Sequence, residues 1–513
     1  MKTILAAVLL VLTWAAVSEA QSENRAPVYV TLWFDTEDYV LPQSDDAAKR
    51  LAEMLTRLGV KATFKLVGEK VRVLNQRKRT DVIAALKKHE IGYHSNTHSQ
   101  QPTIAVELQH MNWEEGHQAF FERERQGVHD ILNTFNVVPS CYGQPGSSWV
   151  PQSYPALQDL GINVYLDESN HVGINDQPFY YGGMLNITRM RSNVVRMELS
   201  GADNLTQAQT KFTAAVERLR KQGGGTISIY YHPCEFIHTE FWDGVNFKRG
   251  ANPPREQWKL PGMKPVAEIE KAFNDFEQYV KFIKAQKGVQ FVTANELKEM
   301  YTNAQTRRLL TRDELLRLAR ATQKEIGFYQ FDDAALSATE VYGILVGVFF
   351  MSQFEKMKGV SVSQPLEPIL SPGTETFFGP ARAYQPTAGS KPLTQISLTE
   401  LWRATLATMT VKRGASQRHA YLPSEIWFGT NSLSPQDYLA TVAGAVEHHL
   451  TTGNWPDPVP VRKGILGFEK YVAEDSERLW GWVIFPEGFH APRIVELARL
   501  QAWTLKPALL KRR

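Results

Sequence analysis

The sequence predicts an α/β protein: a distorted (β/α)7 barrel followed by a mainly α-helical C-terminal region. Two observations support this prediction. Between residues 28 and 300, short apolar runs alternate with amphipathic stretches, which is typical of parallel strands joined by helices. After about residue 303 that alternation stops, and one type of helix start recurs instead. We therefore expect a barrel over residues 21–303 and a second region after it.

Seven strands are expected in the barrel. They are Val28–Phe34, Lys61–Val67, Ile91–His94, Val137–Cys141, Ile162–Leu166, Thr226–His232 and Val289–Thr293. The stretches between them have the Leu-x-x-Leu and Ala-x-x-Leu spacing that gives a helix one apolar face. The barrel is thus one strand short of the eight-stranded form, in which the chemistry lies at the C-terminal ends of the strands.

The region after residue 303 contains four copies of one helix start. Each copy has an apolar residue, then Ser or Thr, then an acid three residues further on, which is a capping box with a staple residue. The copies begin at Leu310, Leu336, Ile396 and Leu433. We expect a helical segment over 304–360, a linker or loop over 361–395, and a helical, repeat-like module over 396–513.

Length, charge and the first residues narrow the class of protein. A chain of 513 residues is too long to form one compact core, so more than one domain is expected. Its formal net charge of +3 gives no general attraction to nucleic acid. Residues 1–20 have the basic start, apolar stretch and small residues of a secretory signal peptide. No later stretch is long and apolar enough to span a membrane. We expect a secreted, periplasmic or wall-associated protein, in which Cys141 and Cys234 form a disulfide or remain two buried thiols.

Histidines and acids at the ends of predicted strands indicate a metal site. His94 and His98 are four residues apart, and one helical turn would bring both onto one face. Acids at residues 35–38 close the first strand, and His232 closes a later one. Two imidazoles and a carboxylate suit zinc or a similar divalent ion, and the remaining acids can move protons. The combination predicts a metal-dependent hydrolase.

The acidic ligand has two candidates. In an extended segment Asp35 and Glu37 point the same way, so Glu37 can reach a metal ion beside Asp35. If the strand bends, Asp38 is the ligand instead. The remaining alternative is that one of these acids only caps the helix beginning near Asp45 or pairs with a lysine.

The order of these motifs resembles that of the polysaccharide deacetylase domain, also called the NodB-homology domain or carbohydrate esterase family 4. The resemblance covers residues 28 to about 300 and implies a barrel of NodB type that holds one divalent metal ion. Besides the acids and histidines, the matching segments are Ala62-Thr63-Phe64, Tyr142–Trp149, Tyr165–Glu168, His232-Pro233 and Phe291-Val292-Thr293.

The resemblance also implies a role for each matching residue. Asp35 matches the general base of the family. His94 and His98 match its metal-binding histidines, and His232 matches its general acid. Asp167 matches the acid that orients the catalytic histidine.

Four further residues are predicted around the substrate. Pro145 and Gly146 match the family's turn whose backbone amide helps to hold the oxyanion. Trp149 has a flat ring that can stack on a sugar, as any planar apolar surface can, and ordinary core packing is an equal alternative. Strand alternation places one of Tyr230 and Tyr231 in the cleft, and Tyr231 is our candidate.

One position departs from the family pattern. Its third motif has an arginine two residues before the proline, and this chain has Gly143 there. That arginine would anchor the base Asp35. Either another arginine replaces it, with Arg189 and Arg191 as candidates, or the activity is lowered or altered.

The sequence therefore predicts a secreted, metal-dependent hydrolase that removes N-acetyl groups from a polysaccharide or cell-wall glycan. One alternative is a non-catalytic glycan- or wall-binding protein with a degenerate deacetylase barrel. The other is a hydrolase of a different small amide. The segment Leu433–Val461 also resembles the short pseudomurein-binding repeats of some wall proteins, which implies wall attachment; a generic helical extension packed on the barrel is the alternative.

Overall fold

The computed structural model describes residues 26–167, 170–188, 195–302, 310–331, 334–358, 376–386, 392–409 and 419–511. The predicted signal peptide, residues 1–20, lies outside the described residues. Among those that are described, no helix is long and apolar enough to cross a membrane. Cys141 and Cys234 are separate, buried thiols.

Strands and helices alternate through the first 300 residues. The strands are β1 (Val28–Thr36), β2 (Thr63–Leu66), β3 (Glu90–Tyr93), β4 (Val164–Leu166), β5 (Phe179–Tyr181), β6 (Met184–Ile187), β7 (Gly225–Tyr231), β8 (Val289–Val292) and β9 (Tyr301–Thr302). The helices are α1 (Gln43–Arg57), α2 (Gly68–Gln76), α3 (Thr80–Leu86), α4 (Ile104–Leu108), α5 (Trp113–Phe135), α6 (Ser153–Asp159), α7 (Asn204–Lys221), α8 (Trp242–Phe247), α9 (Val266–Lys284) and α10 (Ala294–Met300).

The later region mixes helices with short strands. Its helices are α11 (Arg312–Lys324), α12 (Ala338–Lys358), α13 (Leu398–Met409), α14 (Pro435–Thr452) and α15 (Pro492–Gln501). Its strands are β10 (Tyr329–Gln330), β11 (Ala335–Leu336), β12 (Thr376–Phe378), β13 (Gln395–Ile396), β14 (His419–Tyr421), β15 (Ile426–Phe428), β16 (Asn431–Leu433), β17 (Val459–Pro460), β18 (Lys506–Pro507) and β19 (Leu509–Leu510).

A parallel sheet in the order β3-β2-β1-β7 forms the centre of the first region, and β8 pairs with the first half of β1. Every residue of β1 is buried, as expected for a parallel strand covered on both faces. Phe34 on β1 stacks on Phe64 of β2, with ring centroids 4.8 Å apart, and Phe276 of α9 packs edge-on against it. These contacts hold the strand ends that carry the site.

The predicted barrel differs from the structure at two places. The segment Val137–Cys141 is not a strand; only Tyr142 forms single parallel bridges, to Tyr93 and Tyr165. Beyond these bridges the sheet continues through β4, β6 and β5. No pairing joins β7 to β5 or β6 within the described ranges, so closure into a barrel is not shown.

All four predicted capping boxes begin helices. Thr311, Ser337, Ser397 and Ser434 each accept a hydrogen bond from the backbone of the residue three positions on. The expectation of a mainly helical C-terminal region is nevertheless not confirmed, because short strand pairs lie between the helices. In the predicted linker 361–395, residues 361–375 and 387–391 are outside the described ranges, and β12 pairs with β14.

The C-terminal region is joined to the first region by backbone pairing. β18 pairs antiparallel with β5, and β19 pairs antiparallel with β9. Gly173 donates its backbone N–H to the Tyr471 carbonyl, and Ala473 donates to the His171 carbonyl. The later residues therefore extend the sheet of the first region and pack against its loops.

Candidate metal centre and active site

The predicted functional residues meet at the C-terminal ends of the parallel strands. Asp35 lies near the end of β1, His94 follows β3, and His232 follows β7. Gly143 follows the single-residue bridge at Tyr142. Because parallel strands end at one edge of the sheet, residues far apart in the chain come within hydrogen-bond distance there.

Glu37, His94 and His98 form a compact, buried cluster. Glu37 Oε2 lies 3.0 Å from His94 Nε2 and 2.8 Å from His98 Nε2. Each of the three side chains is only 2% exposed. Two imidazole nitrogens thus face one carboxylate oxygen, and they do so from a loop rather than from a helix.

The loop carrying the two histidines corrects the expectation of a helical turn. His94 directly follows the end of β3, and Ser95 and His98 both have positive φ angles, of 67° and 54°. A helix has no such residues, because its φ angles are negative. The His98 N–H donates to Ser95 Oγ, which fixes the tight loop and brings the two rings to a centroid separation of 5.1 Å.

The donor set of this cluster fits a divalent cation. His94 Nδ1 donates to the Gly143 carbonyl at 2.9 Å, so a neutral His94 presents the lone pair of Nε2 to Glu37. Two acceptors then face each other at 3.0 Å, an arrangement that a cation between them stabilises. His98 Nε2 is buried and makes no hydrogen bond, although it too points at Glu37 Oε2. Two imidazoles and one carboxylate are a common ligand set for zinc.

The electrostatics of Glu37 agree with a ligand role. Burial alone would raise its pKa, but the charges and hydrogen bonds of the surrounding histidines outweigh burial and hold the pKa well below its usual range. Trp242 Nε1 donates to the second carboxylate oxygen of Glu37 at 2.7 Å. Glu37 is therefore an oriented, ionised carboxylate.

Of the two candidate acids, Asp38 faces away from the cluster. Its Oδ1 accepts hydrogen bonds from the backbone N–H groups of Val40 and Leu41, at 2.8 and 3.2 Å. Its Oδ2 accepts from the Ser44 hydroxyl and lies 3.2 Å from His238 Nε2. Asp38 therefore shapes the loop after β1, and the structure favours Glu37 as the acidic ligand.

Asp35 lies beside the cluster and is held by a buried lysine. Its Oδ1 is 2.9 Å from Lys65 Nζ and 3.4 Å from His94 Nδ1. Burial would raise the pKa of Asp35, but His94, Lys65 and His232 outweigh it and lower the pKa. Asp167 Oδ2 is 3.0 Å from the same Lys65 Nζ, and the Asp167 carboxylate groups with Asp35 and His94 within 4.8 Å.

His232 lies beside the other carboxylate oxygen of Asp35, and Glu235 orients the His232 ring. His232 Nε2 lies 3.7 Å from Asp35 Oδ2, and His232 Nδ1 lies 2.8 Å from Glu235 Oε1. Arg196 in turn donates to Glu235 Oε2 at 2.9 Å. Burial disfavours the imidazolium, but Glu235, Glu37 and Asp35 outweigh it and raise the pKa of His232 to about 9. His232 is therefore protonated at neutral pH, as a proton donor must be.

The predicted oxyanion turn lies under a tryptophan of the C-terminal region. Gly146 has a φ of 51°, and a Cβ there would overlap the ring of Trp482. Trp482 Nε1 donates to Asp243 Oδ2 at 3.1 Å, and burial raises the pKa of Asp243 to about 6. Pro145 precedes Gly146, and its carbonyl accepts from Ser148 N.

Two residues predicted to line the cleft lie in the core instead. Trp149 is fully buried and stacks on His171 with ring centroids 4.9 Å apart. Tyr231 is also fully buried, and its hydroxyl bonds to the backbone of Met197. Alternation along β7 turns Tyr231 toward Phe276 on α9, so this strand reaches the site through His232 instead.

Several residues of the site had no signal, or only a weak one, in the sequence. Glu235 follows His232 at the spacing of one helical turn, a local signal that could have identified it. Lys65 sits in an apolar strand, and only the β1–β2 register brings it to Asp35. Arg189 and Arg191, the predicted substitutes for the missing arginine, lie outside the described residues.

No model of a known protein family matches this chain, and no curated protein matches it. Among solved structures, about half of the chain is similar to members of the polysaccharide deacetylase (CE4) class. One is a protein from Mycobacterium smegmatis described as a polysaccharide deacetylase, with 13% identity and a TM-score of 0.35 over 54% of this chain and 90% of that one. An allantoinase has 11% identity and a TM-score of 0.35 over 53% and 90% of the two chains. A CE4 pseudoenzyme from Bacillus anthracis has 14% identity and a TM-score of 0.26 over 52% and 64%.

Proposed function

We propose that this chain is a metal-dependent hydrolase that removes N-acetyl groups from a glycan outside the cytoplasm. The observation that carries the proposal is the pair of imidazole nitrogens within 3.0 Å of one Glu37 oxygen, with Asp35 and His232 next to them. Glu37, His94 and His98 would hold one divalent ion, with zinc as the best match to the donors. When bound, the ion supplies Lewis-acid polarisation of the substrate carbonyl.

The chain's own residues supply the proton transfers. Asp35 is ionised, since the charges around it lower its pKa, so its Oδ2 can take a proton from the attacking water. His232 Nε2, protonated and oriented by Glu235, gives a proton to the departing nitrogen. The backbone of Gly146, held under Trp482, is the candidate donor to the oxyanion.

Exposed aromatic surface beside His232 supports a sugar as the substrate. Phe241 is 37% exposed, and its ring centroid lies 4.9 Å from that of His232, edge to face. Trp482 contributes a second, partly buried ring, which packs edge-on against His98. Flat apolar rings of this kind stack on sugar faces. A different small amide uses the same catalytic parts, so the substrate has to be tested directly.

The test is acetate release from an N-acetylated chito-oligosaccharide by the full chain. We expect turnover that a chelator abolishes and added zinc restores, and that the His232→Ala variant lacks. A chain that binds the oligosaccharide without releasing acetate, while holding metal, would support the non-catalytic alternative. Turnover of a small cyclic or linear amide without any turnover of the oligosaccharide would support the second alternative, a hydrolase of a different small amide.

A further inference from the structure

Lys65 is fully buried near the C-terminal end of β2, and its ammonium group makes three contacts. The β1–β2 register places it directly beside Asp35. Lys65 Nζ lies 2.9 Å from Asp35 Oδ1, 3.0 Å from Asp167 Oδ2 and 2.7 Å from the Leu166 carbonyl. Two N–H groups of the ammonium donate hydrogen bonds, to Asp167 and to the Leu166 carbonyl, and the contact with Asp35 is an ion pair. The Trp33 ring covers the remaining side, with its centroid 4.0 Å from Nζ.

Gly143 leaves the space that this ammonium fills. A Cβ at residue 143 would overlap Lys65 Nζ and would lie 2.7 Å from Asp167 Oδ2. Gly143 does not have a positive φ, so glycine is required here for space: the lysine comes closest, and the Leu166 carbonyl oxygen would lie 2.8 Å from the same Cβ. The position where the resembled family has its arginine side chain is thus filled by the end of a lysine from a different strand.

We propose that Lys65 is the positioning residue for the base Asp35, and that Lys65 and Gly143 form a coupled pair that replaces the absent arginine. Lys65 and His94 engage Oδ1 of Asp35, which leaves Oδ2 toward His232 and the reacting water. This positioning role rests on the proposed function, because Asp35 acts as a base only in that reaction. The coupling of residues 65 and 143 does not depend on it.

The first experiment separates positioning from a merely structural role. In Lys65→Met we expect zinc content and KM to remain near those of the wild type, while kcat for acetate release falls about 100-fold, because a misplaced base loses alignment. The matched control is Lys506→Met, since Lys506 is also buried and bonds to Glu340, at 2.7 and 2.9 Å, rather than to a site residue. An unchanged kcat in Lys65→Met, or an equal loss in both variants, overturns the positioning role.

The second experiment tests the coupling, and it also applies if Lys65→Met folds poorly. Gly143→Ala should lower the melting temperature in the wild-type background and lower it much less in the Lys65→Ala background. Lys65→Ala/Gly143→Arg should recover kcat at least about 10-fold over Lys65→Ala, because the guanidinium can take the ammonium's place. Additive melting-temperature changes overturn the coupling. A wild type without turnover refutes the proposed function instead, and the melting temperatures still decide the coupling.

Discussion

Trp482 packs edge-on against His98, with ring centroids 5.5 Å apart and an interplanar angle of 88°. The tryptophan belongs to the C-terminal region, whereas the histidine is a candidate metal ligand of the first region. Ile484, two residues further on, is fully buried in a cluster with Tyr39 and Trp242. The C-terminal region therefore contributes side chains to the wall of the candidate site.

Replacing Trp482 tests this wall directly. In Trp482→Ala we expect KM for an N-acetylated chito-oligosaccharide to rise about 5-fold, since one ring contact is worth on the order of 1 kcal/mol. Zinc content should remain. The control is Trp427→Ala, because Trp427 lies in the same region but is 51% exposed. Equal kinetics in the two variants would remove Trp482 from the substrate cleft.

The choice between the two acids after β1 is open to measurement. Glu37→Gln should weaken zinc binding by more than about 100-fold, beyond the loss typical of residues that only orient a ligand. Asp38→Asn should keep zinc and lose about 1–3 kcal/mol of stability, because Asp38 holds the backbone N–H groups of Val40 and Leu41. Isothermal titration with zinc and chemical denaturation give the two numbers. If Asp38→Asn loses zinc and Glu37→Gln keeps it, Asp38 is the ligand instead.

His232 is expected to act on protons rather than on the metal. His232→Gln should retain one equivalent of zinc and lose about 100-fold or more in kcat, the usual contribution of a general acid. Glu235→Gln should give a smaller loss, because it orients the imidazole from 2.8 Å without touching the reacting atoms. If His232→Gln loses its zinc, His232 is a third histidine ligand.

His171, which packs where the two regions meet, is expected to make the stability of the fold depend on pH. It lies between Trp149 and Trp480, and burial lowers its pKa to about 3. The unfolded chain binds a proton near pH 6.5, so between pH 6.5 and 3 the unfolded state holds more protons and stability falls as pH falls. The upper limit of this loss is on the order of 5 kcal/mol.

Denaturation at pH 7 and pH 5 measures the effect. The drop in unfolding free energy should be smaller in His171→Phe than in the wild type. His129→Phe is the control, since His129 is exposed on α5. Equal drops in the wild type and in His171→Phe would show that burial of His171 does not control the acid response.

The sequence predicted those parts of the site whose signals are local. His94 and His98 are close in the chain, and Asp35 and His232 each end a recognisable strand. Lys65 and Trp482 could not be predicted in this way. Lys65 reads as an interruption of an apolar strand until the register puts it opposite Asp35, and Trp482 reaches His98 only through the folding of the C-terminal region. Tyr231 was misplaced because alternation gives two faces without saying which one is the cleft.

The most direct test of the account is the zinc content of the purified full chain and two variants, measured by mass spectrometry after dialysis. We predict one equivalent in the wild type, none in His98→Ala and one in His117→Ala. His117 also pairs with an acid, but Asp159 bonds to His117 and His419 through separate oxygens, which satisfies that cluster without an ion. A wild type without bound zinc or another divalent metal, or a His98→Ala variant that keeps a full equivalent, would contradict the proposed metal centre.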